Sequence, residues 1–486
     1  MISMGNDKAE TGNLSELMQK LGYYLDTYLK FEHGDAMQNA AVWQQALGGQ
    51  LPEKGVGAEQ VLQEMGEYLI PNGSVIPNPG CTAFITTGAT SIGALASMAG
   101  SVASPQRIGL TAFNYLEEKS LEWLAQLFEL PPQMKGIYSS GGSVANIVAL
   151  GAARQWAFEK IGIDPARDGV SQPGKIYATE LSHRTVNRAA AVLGLGRNAV
   201  TYIATDGMGR MSPTALWQQL VCDAKLGLLP IAIVANAGAT STGTIDPLMP
   251  LAEIARQFDI WLHVDGAYGL PGILDPQVRH LYQGLEWADS VIVDPHKWLG
   301  APIGIGATFV RDRNILNRAF TQEASDYLEG SAATDQVQHS MDSLGIPYND
   351  FGVELSAPSR GAIVWALIRE IGKSGMQARI CRHNAMARQV AKRVTEHPNL
   401  ELLQAPTLSI CCFRYVTANT DDLNQLNQQI HRRLVRNGKN IPSTAKLNGQ
   451  LAIRPCFVGA RTDWQHADAL VDEVIQIGHQ LSKHII

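Results

Sequence analysis

Asp294-Pro295-His296-Lys297-Trp298-Leu299 follows the apolar run Ser290-Val291-Ile292-Val293 and precedes Ile303-Gly304-Ile305-Gly306-Ala307. A β-branched run that ends at a glycine-punctuated turn reads as a buried strand followed by a tight connection. A lysine there loses solvation, and burial favours the neutral amine, which attacks carbonyls to form Schiff bases. The bland alternative is a strand-end lysine with a buried stem and an ammonium that reaches water. The companions of Lys297 decide between them.

Upstream, Ile260-Trp261-Leu262-His263-Val264-Asp265-Gly266-Ala267-Tyr268-Gly269 is an apolar strand closed by a carboxylate and small residues. In the simplest case such an aspartate caps a turn or helix. Beside a Schiff-base lysine it is the group that keeps a pyridine nitrogen protonated, so that the ring withdraws electrons. Ala267 is small enough to lie under such a ring. Earlier still, Tyr138-Ser139-Ser140-Gly141-Gly142-Ser143-Val144-Ala145-Asn146 offers a phosphate cradle. Its two glycines let backbone approach an anion, Ser143 adds a hydroxyl, and Val144 to Trp156 reads as a helix whose N-terminus faces the phosphate. Alone, Gly-Gly-Ser is a turn plus N-cap.

On these residues the chain resembles the pyridoxal-phosphate-dependent group II amino-acid decarboxylases, which include the aromatic-L-amino-acid, glutamate, cysteine sulfinate and diaminobutyrate enzymes. The matching motifs are Ser140 to Asn146, Ala178-Thr179-Glu180-Leu181-Ser182-His183, His263 to Tyr268, and Asp294 to Trp298. They occur in the family's order and span most of the chain. The resemblance implies the α/β fold type I of pyridoxal-phosphate enzymes: a large domain with a mainly parallel sheet covered by helices, a smaller α+β C-terminal domain and an N-terminal helical segment. It also implies pyridoxal 5'-phosphate as cofactor, an L-amino acid as substrate and a homodimer with a shared active site.

Residue by residue, the resemblance makes Lys297 the Schiff-base lysine and Asp265 the partner of the ring nitrogen. It places Gly142 and Ser143 at the phosphate, Thr240 near the ring or phosphate, and Ala267 beneath the ring. His296 would reach phosphate or substrate. His183 would stack on the ring and help Thr87 hold the substrate carboxylate. Tyr327, followed by Leu328, resembles the mobile-loop tyrosine that enters the neighbouring subunit's site and returns a proton to Cα. That proton gives an amine; family members without the tyrosine make an aldehyde. The ordinary readings are a capped or solvated His183, a Thr87 that satisfies its own backbone, and a flexible connection from Gln322 to Tyr348. One departure leaves the substrate class open: Asn78-Pro79-Gly80-Cys81 stands where the family carries His-Pro and aromatic residues; a second, Asn236 where a threonine is usual, concerns the turn beside the cofactor.

With 486 residues the chain is too long for one core. The division expected is an N-terminal dimer-packing segment over 1–75, a cofactor-binding domain over 76–345 and an α+β domain over 346–486. The 39 basic and 45 acidic residues give a net charge of -6, which points to neither nucleic acid nor an anionic membrane. Six cysteines without a CxxC pair read as reduced, mostly buried cytoplasmic thiols, with no zinc site. No apolar stretch reaches spanning length.

Leu14, Leu17, Met18, Leu21, Leu25, Tyr28 and Leu29 recur at helical spacing behind an Asn13 cap with Glu16 in the first turn. In the resembling family this segment packs on the partner subunit; the alternative is that it covers its own large domain. A further helix is expected over Asn114 to Phe128. Strands are expected over Lys175–Ala178, Ala199–Ala204, Pro230–Ala235, Ile260–Asp265, Ser290–Val293 and Ile305–Val310. Helices over Val186–Leu193, Pro213–Ala224 and Leu248–Phe258 lie between them. This alternation builds a largely parallel sheet with ligands at the strand C-terminal ends. Beyond Ser359 come helices Ala362–Ile371, Met376–Val394, Asp421–Arg436 and Asp463–Leu481, with strands Leu408–Tyr415 and Leu451–Pro455.

Rival readings come from other classes. An aldehyde synthase or aminotransferase of the same fold would use the same Lys297 and Asp265. A non-catalytic protein would need a degraded site, whereas all its parts are present. A dinucleotide oxidoreductase would need G-x-G-x-x-G, which Ser140 to Ser143 does not supply.

Overall fold

A computed structural model describes residues 13–33, 36–37, 39–103, 111–321 and 346–483. The chain separates into two units, 1–81 and 82–486. The first carries helices Leu14–Tyr28, Ala40–Leu47 and Ala58–Glu64. The Asn13 side chain caps the first of these by accepting from the Ser15 amide. That helix buries none of its residues, and Lys20 pairs with Glu59 of the third at 2.8 Å.

The second unit is built on a seven-stranded sheet. Its strands are β1 (Lys135–Ser139), β2 (Gly174–Ala178), β3 (Val200–Tyr202), β4 (Leu229–Asn236), β5 (Trp261–Asp265), β6 (Ser290–Val293) and β7 (Gly306–Val310). They lie in the order β1-β7-β6-β5-β4-β2-β3. β2 to β6 pair in parallel, and β7 runs antiparallel to both β6 and β1. Every residue of β5, β6 and β7 is buried, so both faces of the sheet centre are covered. One cover is the helix Gly142–Glu159, which packs on β1 and on β4 to β7. β1 is absent from the sequence reading. Its short run Lys135-Gly136-Ile137-Tyr138-Ser139 lacks the β-branched density of the other strands, and tertiary pairing with β7 makes it a strand.

A second, antiparallel sheet carries β8 (Leu400–Gln404), β9 (Cys412–Tyr415), β10 (Ile441–Leu447) and β11 (Gln450–Arg454), in the order β10-β11-β9-β8. The expected strand from Leu408 shrinks to its end at Cys412–Tyr415, while β8 and β10 are new. β10 was legible: Asn448 at φ 49° and Gly449 at φ 80° form a two-residue hairpin turn, the conformation that Asn-Gly favours. The two helices expected over 362–394 are both present, within Gly361–Glu396 and separated at Gly372, whose φ is 66°. Met386, Val390, Phe413, Ile430 and Leu470 belong to a core separate from that of the large sheet.

Of the six cysteines only Cys411, Cys412 and Cys456 are buried and Cys222 is exposed, which corrects the expectation of mostly buried thiols. Among the described residues no helix is long and apolar enough to cross a membrane.

Candidate active site

The C-terminal ends of β4, β5 and β6 lie side by side. Asn236 is in register with Asp265, and Asp265 with Ile292. Beyond them the Ala237 amide donates to the Asp265 carbonyl at 2.9 Å and the Asp294 amide to the Ala267 carbonyl at 3.0 Å. These crossings fold three strand ends around one cavity of about 390 Å³.

One wall is the N-terminus of helix Gly142–Glu159, whose first amides have no intrahelical acceptor. Gly141 has φ 119°, a left-handed value that requires glycine, and a Cβ on Gly142 would stand 2.6 Å from Asp294 Oδ2. Gly142 and Ser143 line this wall, with Thr240 in the opposing loop. Asp265 and Ala267 line the floor. Asp265 Oδ1 accepts from the Ala267 amide at 3.1 Å and Oδ2 from Asn146 Nδ2 at 3.2 Å. Ala267 packs on Ala145, Ala149 and Ile292.

Lys297, His296 and His183 complete the lining. Trp298, fully buried, anchors the lysine turn: its indole stacks on Tyr268 at 5.2 Å and donates to His383 Nδ1 at 2.9 Å. The lysine is less buried than its apolar flanks lead one to expect: its side chain is 21% exposed, and Nζ pairs with Asp294 Oδ2 at 3.0 Å. His296 Nδ1 donates to the Ile305 carbonyl at 2.6 Å. Partial burial lowers the pKa of His183; Lys297 adds to the shift, while Asp265 and Asp294 oppose it.

Thr87 is not among the lining residues. Its hydroxyl donates to the Gly88 carbonyl at 3.2 Å, the self-satisfying arrangement weighed above. Tyr327 lies outside the described residues. Four residues that the sequence reading quoted or passed over without a role also belong to the site. Asp294 and Asn146 line the cavity, as does Thr185. Arg454, buried in β11, donates to the carbonyls of Thr240 and Phe84 and so holds the Thr240 loop. Asp294 and Asn146 stood inside the quoted motifs; nothing local marks Thr185 or Arg454.

An anion cradle at a helix N-terminus, a carboxylate on the floor, a small residue beside it and an amine at the rim fit pyridoxal phosphate. The family described as pyridoxal-dependent decarboxylase conserved domain matches residues 43–416, and this chain belongs to it. It is therefore an amino-acid decarboxylase that depends on pyridoxal phosphate. An aromatic-L-amino-acid decarboxylase of Bacillus atrophaeus is 27% identical over 96% of this chain and 97% of its own. An L-2,4-diaminobutyrate decarboxylase of Rhizobium meliloti is 30% identical over 89% and 85%. A 4-hydroxyphenylacetaldehyde synthase of Rhodiola rosea is 26% identical over 87% and 86%. Its crystal structure matches with a TM-score of 0.83 over 97% of this chain and 99% of that one, at 23% identity.

Proposed function

We propose that the protein converts an L-amino acid to the corresponding amine and carbon dioxide, with Lys297 as the Schiff-base lysine. One observation carries this reading: Lys297, Asp265, His183 and the helix N-terminus at Gly142 line a single cavity. When bound, pyridoxal phosphate supplies an electron sink for the bonds to Cα. The amides and hydroxyl at Gly142 and Ser143, with the Thr240 loop, would bind the phosphate. Asp265 would hold a proton on the ring nitrogen, and Ala267 leaves room for the ring's flat face. His183 would orient the substrate carboxylate so that the bond to it is the one that breaks, a positioning task. Thr87 is proposed as a second carboxylate contact and His296 as a phosphate or substrate contact. Tyr327 would return a proton to Cα and Lys297 would release the amine.

The same reading assigns 1–75 to dimer packing, 76–345 to the cofactor domain and 346–486 to the C-terminal domain. The separate core around Phe413 supports a C-terminal domain, while Tyr348, Ile363 and Met376 pack in the core of the large sheet. A homodimer is supported by the first helix, where Leu14 is 51% and Leu25 40% exposed, and the shared site is what the family resemblance adds. Free thiols support a cytoplasmic location.

The test is incubation of the cofactor-loaded protein with separate L-amino acids, following carbon dioxide and identifying the organic product by mass spectrometry. Amine from one substrate class supports the reading and fixes specificity. Aldehyde with ammonia would favour an aldehyde synthase, the activity named for the Rhodiola rosea relative. No product from any amino acid would overturn both.

A further inference from the structure

Asn146 lies in the second turn of the helix that opens at Gly142 and is almost fully buried. Its amide offers two N–H donors and one carbonyl oxygen. Nδ2 donates to Asp265 Oδ2 at 3.2 Å and to Thr185 Oγ1 at 3.0 Å. Turning the amide over would set its oxygen against the Asp265 carboxylate, so that carboxylate fixes its orientation. Asn146 Oδ1 then faces His263 Nε2 at 3.0 Å, and this nitrogen carries a proton. Complete burial pushes the His263 pKa down to about 4, which leaves the ring neutral and its Nδ1 bare. The Ser290 hydroxyl therefore donates to Nδ1 at 2.9 Å while accepting from Trp261 Nε1 at 2.8 Å.

The chain of bonds continues toward the cavity. Thr185 Oγ1 accepts from Asn146 and lies 2.8 Å from His183 Nδ1, with a second lone pair still open. The Thr185 backbone amide donates to that nitrogen, at 3.4 Å. A nitrogen that accepts from a backbone N–H carries no proton of its own, so the Thr185 hydroxyl donates to it as well. In the neutral ring the proton therefore sits on Nε2.

We propose that Asn146 is a positioning residue: it couples the Asp265 carboxylate, through Thr185, to His183 and fixes His183 as the tautomer protonated on Nε2. The consequence for turnover rests on the function proposed above. A neutral N–H donor orients a carboxylate without strongly favouring its charge, which disappears as carbon dioxide leaves. An imidazolium would stabilise the ground state more than the transition state and slow that step.

The experiment uses the full-length protein labelled with 15N-histidine, first without cofactor. A His183→Gln spectrum identifies the His183 resonances. The expected wild-type result is a bare, pyridine-type Nδ1 and a protonated Nε2 at neutral pH. Thr185→Val removes the hydroxyl and should move both resonances toward an exchange average; Thr185→Ser should restore them. Asn146→Asp should accept the Thr185 proton and raise the pH at which His183 titrates. A wild-type His183 protonated on Nδ1, or a Thr185→Val spectrum like the wild type, would overturn the proposal. In the loaded enzyme Thr185→Val should lower kcat roughly three- to tenfold, as loss of one hydrogen bond does, with recovery in Thr185→Ser. Wild-type turnover in Thr185→Val would overturn the positioning role. A wild-type protein that releases no carbon dioxide would instead sink the proposed reaction, while the cofactor-free spectra would still read the tautomer.

Discussion

Lys297 Nζ stands 3.0 Å from Asp294 Oδ2, an ion pair three residues apart in the turn after β6. The carboxylate is 1% exposed and its other oxygen, Oδ1, has no hydrogen-bond partner among the described residues. The lysine is thus both the proposed anchor of the cofactor and the neutralising partner of a buried charge.

Lys297→Ala should lose both roles. Turnover should fall by about three orders of magnitude or more, because the covalent step has no substitute nucleophile. The yellow absorption of the bound cofactor should wash out on desalting. Stripping Asp294 of its partner should cost about 3 kcal/mol in denaturant unfolding of the cofactor-free protein. Normal carbon dioxide release from this variant would remove Lys297 from the mechanism.

Gly142→Ala tests the cradle. The added methyl would lie 2.6 Å from Asp294 Oδ2, closer than side chains tolerate, so either the carboxylate or the helix start must shift. Cofactor affinity should drop roughly tenfold or more, a cost of about 1.4 kcal/mol. Fluorescence titration with pyridoxal phosphate reads it, and an unchanged dissociation constant would show that the helix start does not hold the phosphate.

Tyr327→Phe addresses the outcome of the reaction. If Tyr327 returns the proton to Cα, its loss should move product from amine toward aldehyde, with kcat lower by roughly a hundredfold for a lost general acid. Unchanged amine output by mass spectrometry would take Tyr327 out of that role.

His263 predicts a pH dependence of stability. Its pKa falls from 6.5 to about 4 on folding because burial disfavours the charged ring. The unfolded chain therefore binds the proton more readily, and the contribution of this neutral histidine is present above pH 6.5 and lost as the pH falls toward 4. At its largest that loss is about 3 kcal/mol. Chemical denaturation of wild type and His263→Gln at pH 7 and near pH 4.5 should show a smaller acid loss in the variant, by about 2 kcal/mol. Equal acid losses would refute a buried neutral His263.

The parts legible in the sequence share a local cause. Ser290–Val293 and Ile260–Asp265 announced themselves as strands because an element buried on both faces must be apolar throughout. Gly141 and Gly142 were readable because a close backbone approach admits nothing larger. Gly372 was readable as a break between two helical patterns. β1 and β8 were not, since their strand character comes from the neighbours they pair with.

The candidate site divides along the same line. The sequence by itself determined which chemical groups are present and in what order: an amine, a carboxylate, a histidine, two glycines and a serine, each at the end of a periodic segment. Tertiary structure alone decided which of them meet. It set Asp294 against Lys297, and it turned the Thr87 hydroxyl to the Gly88 carbonyl of its own loop. Asn146 and Thr185 lie 39 residues apart in the chain, yet with His183 they form one hydrogen-bonded path from Asp265. The physical reason is that residue type and periodicity act along the chain, whereas the direction of each hydrogen bond is fixed by the donor or acceptor that the fold places opposite it.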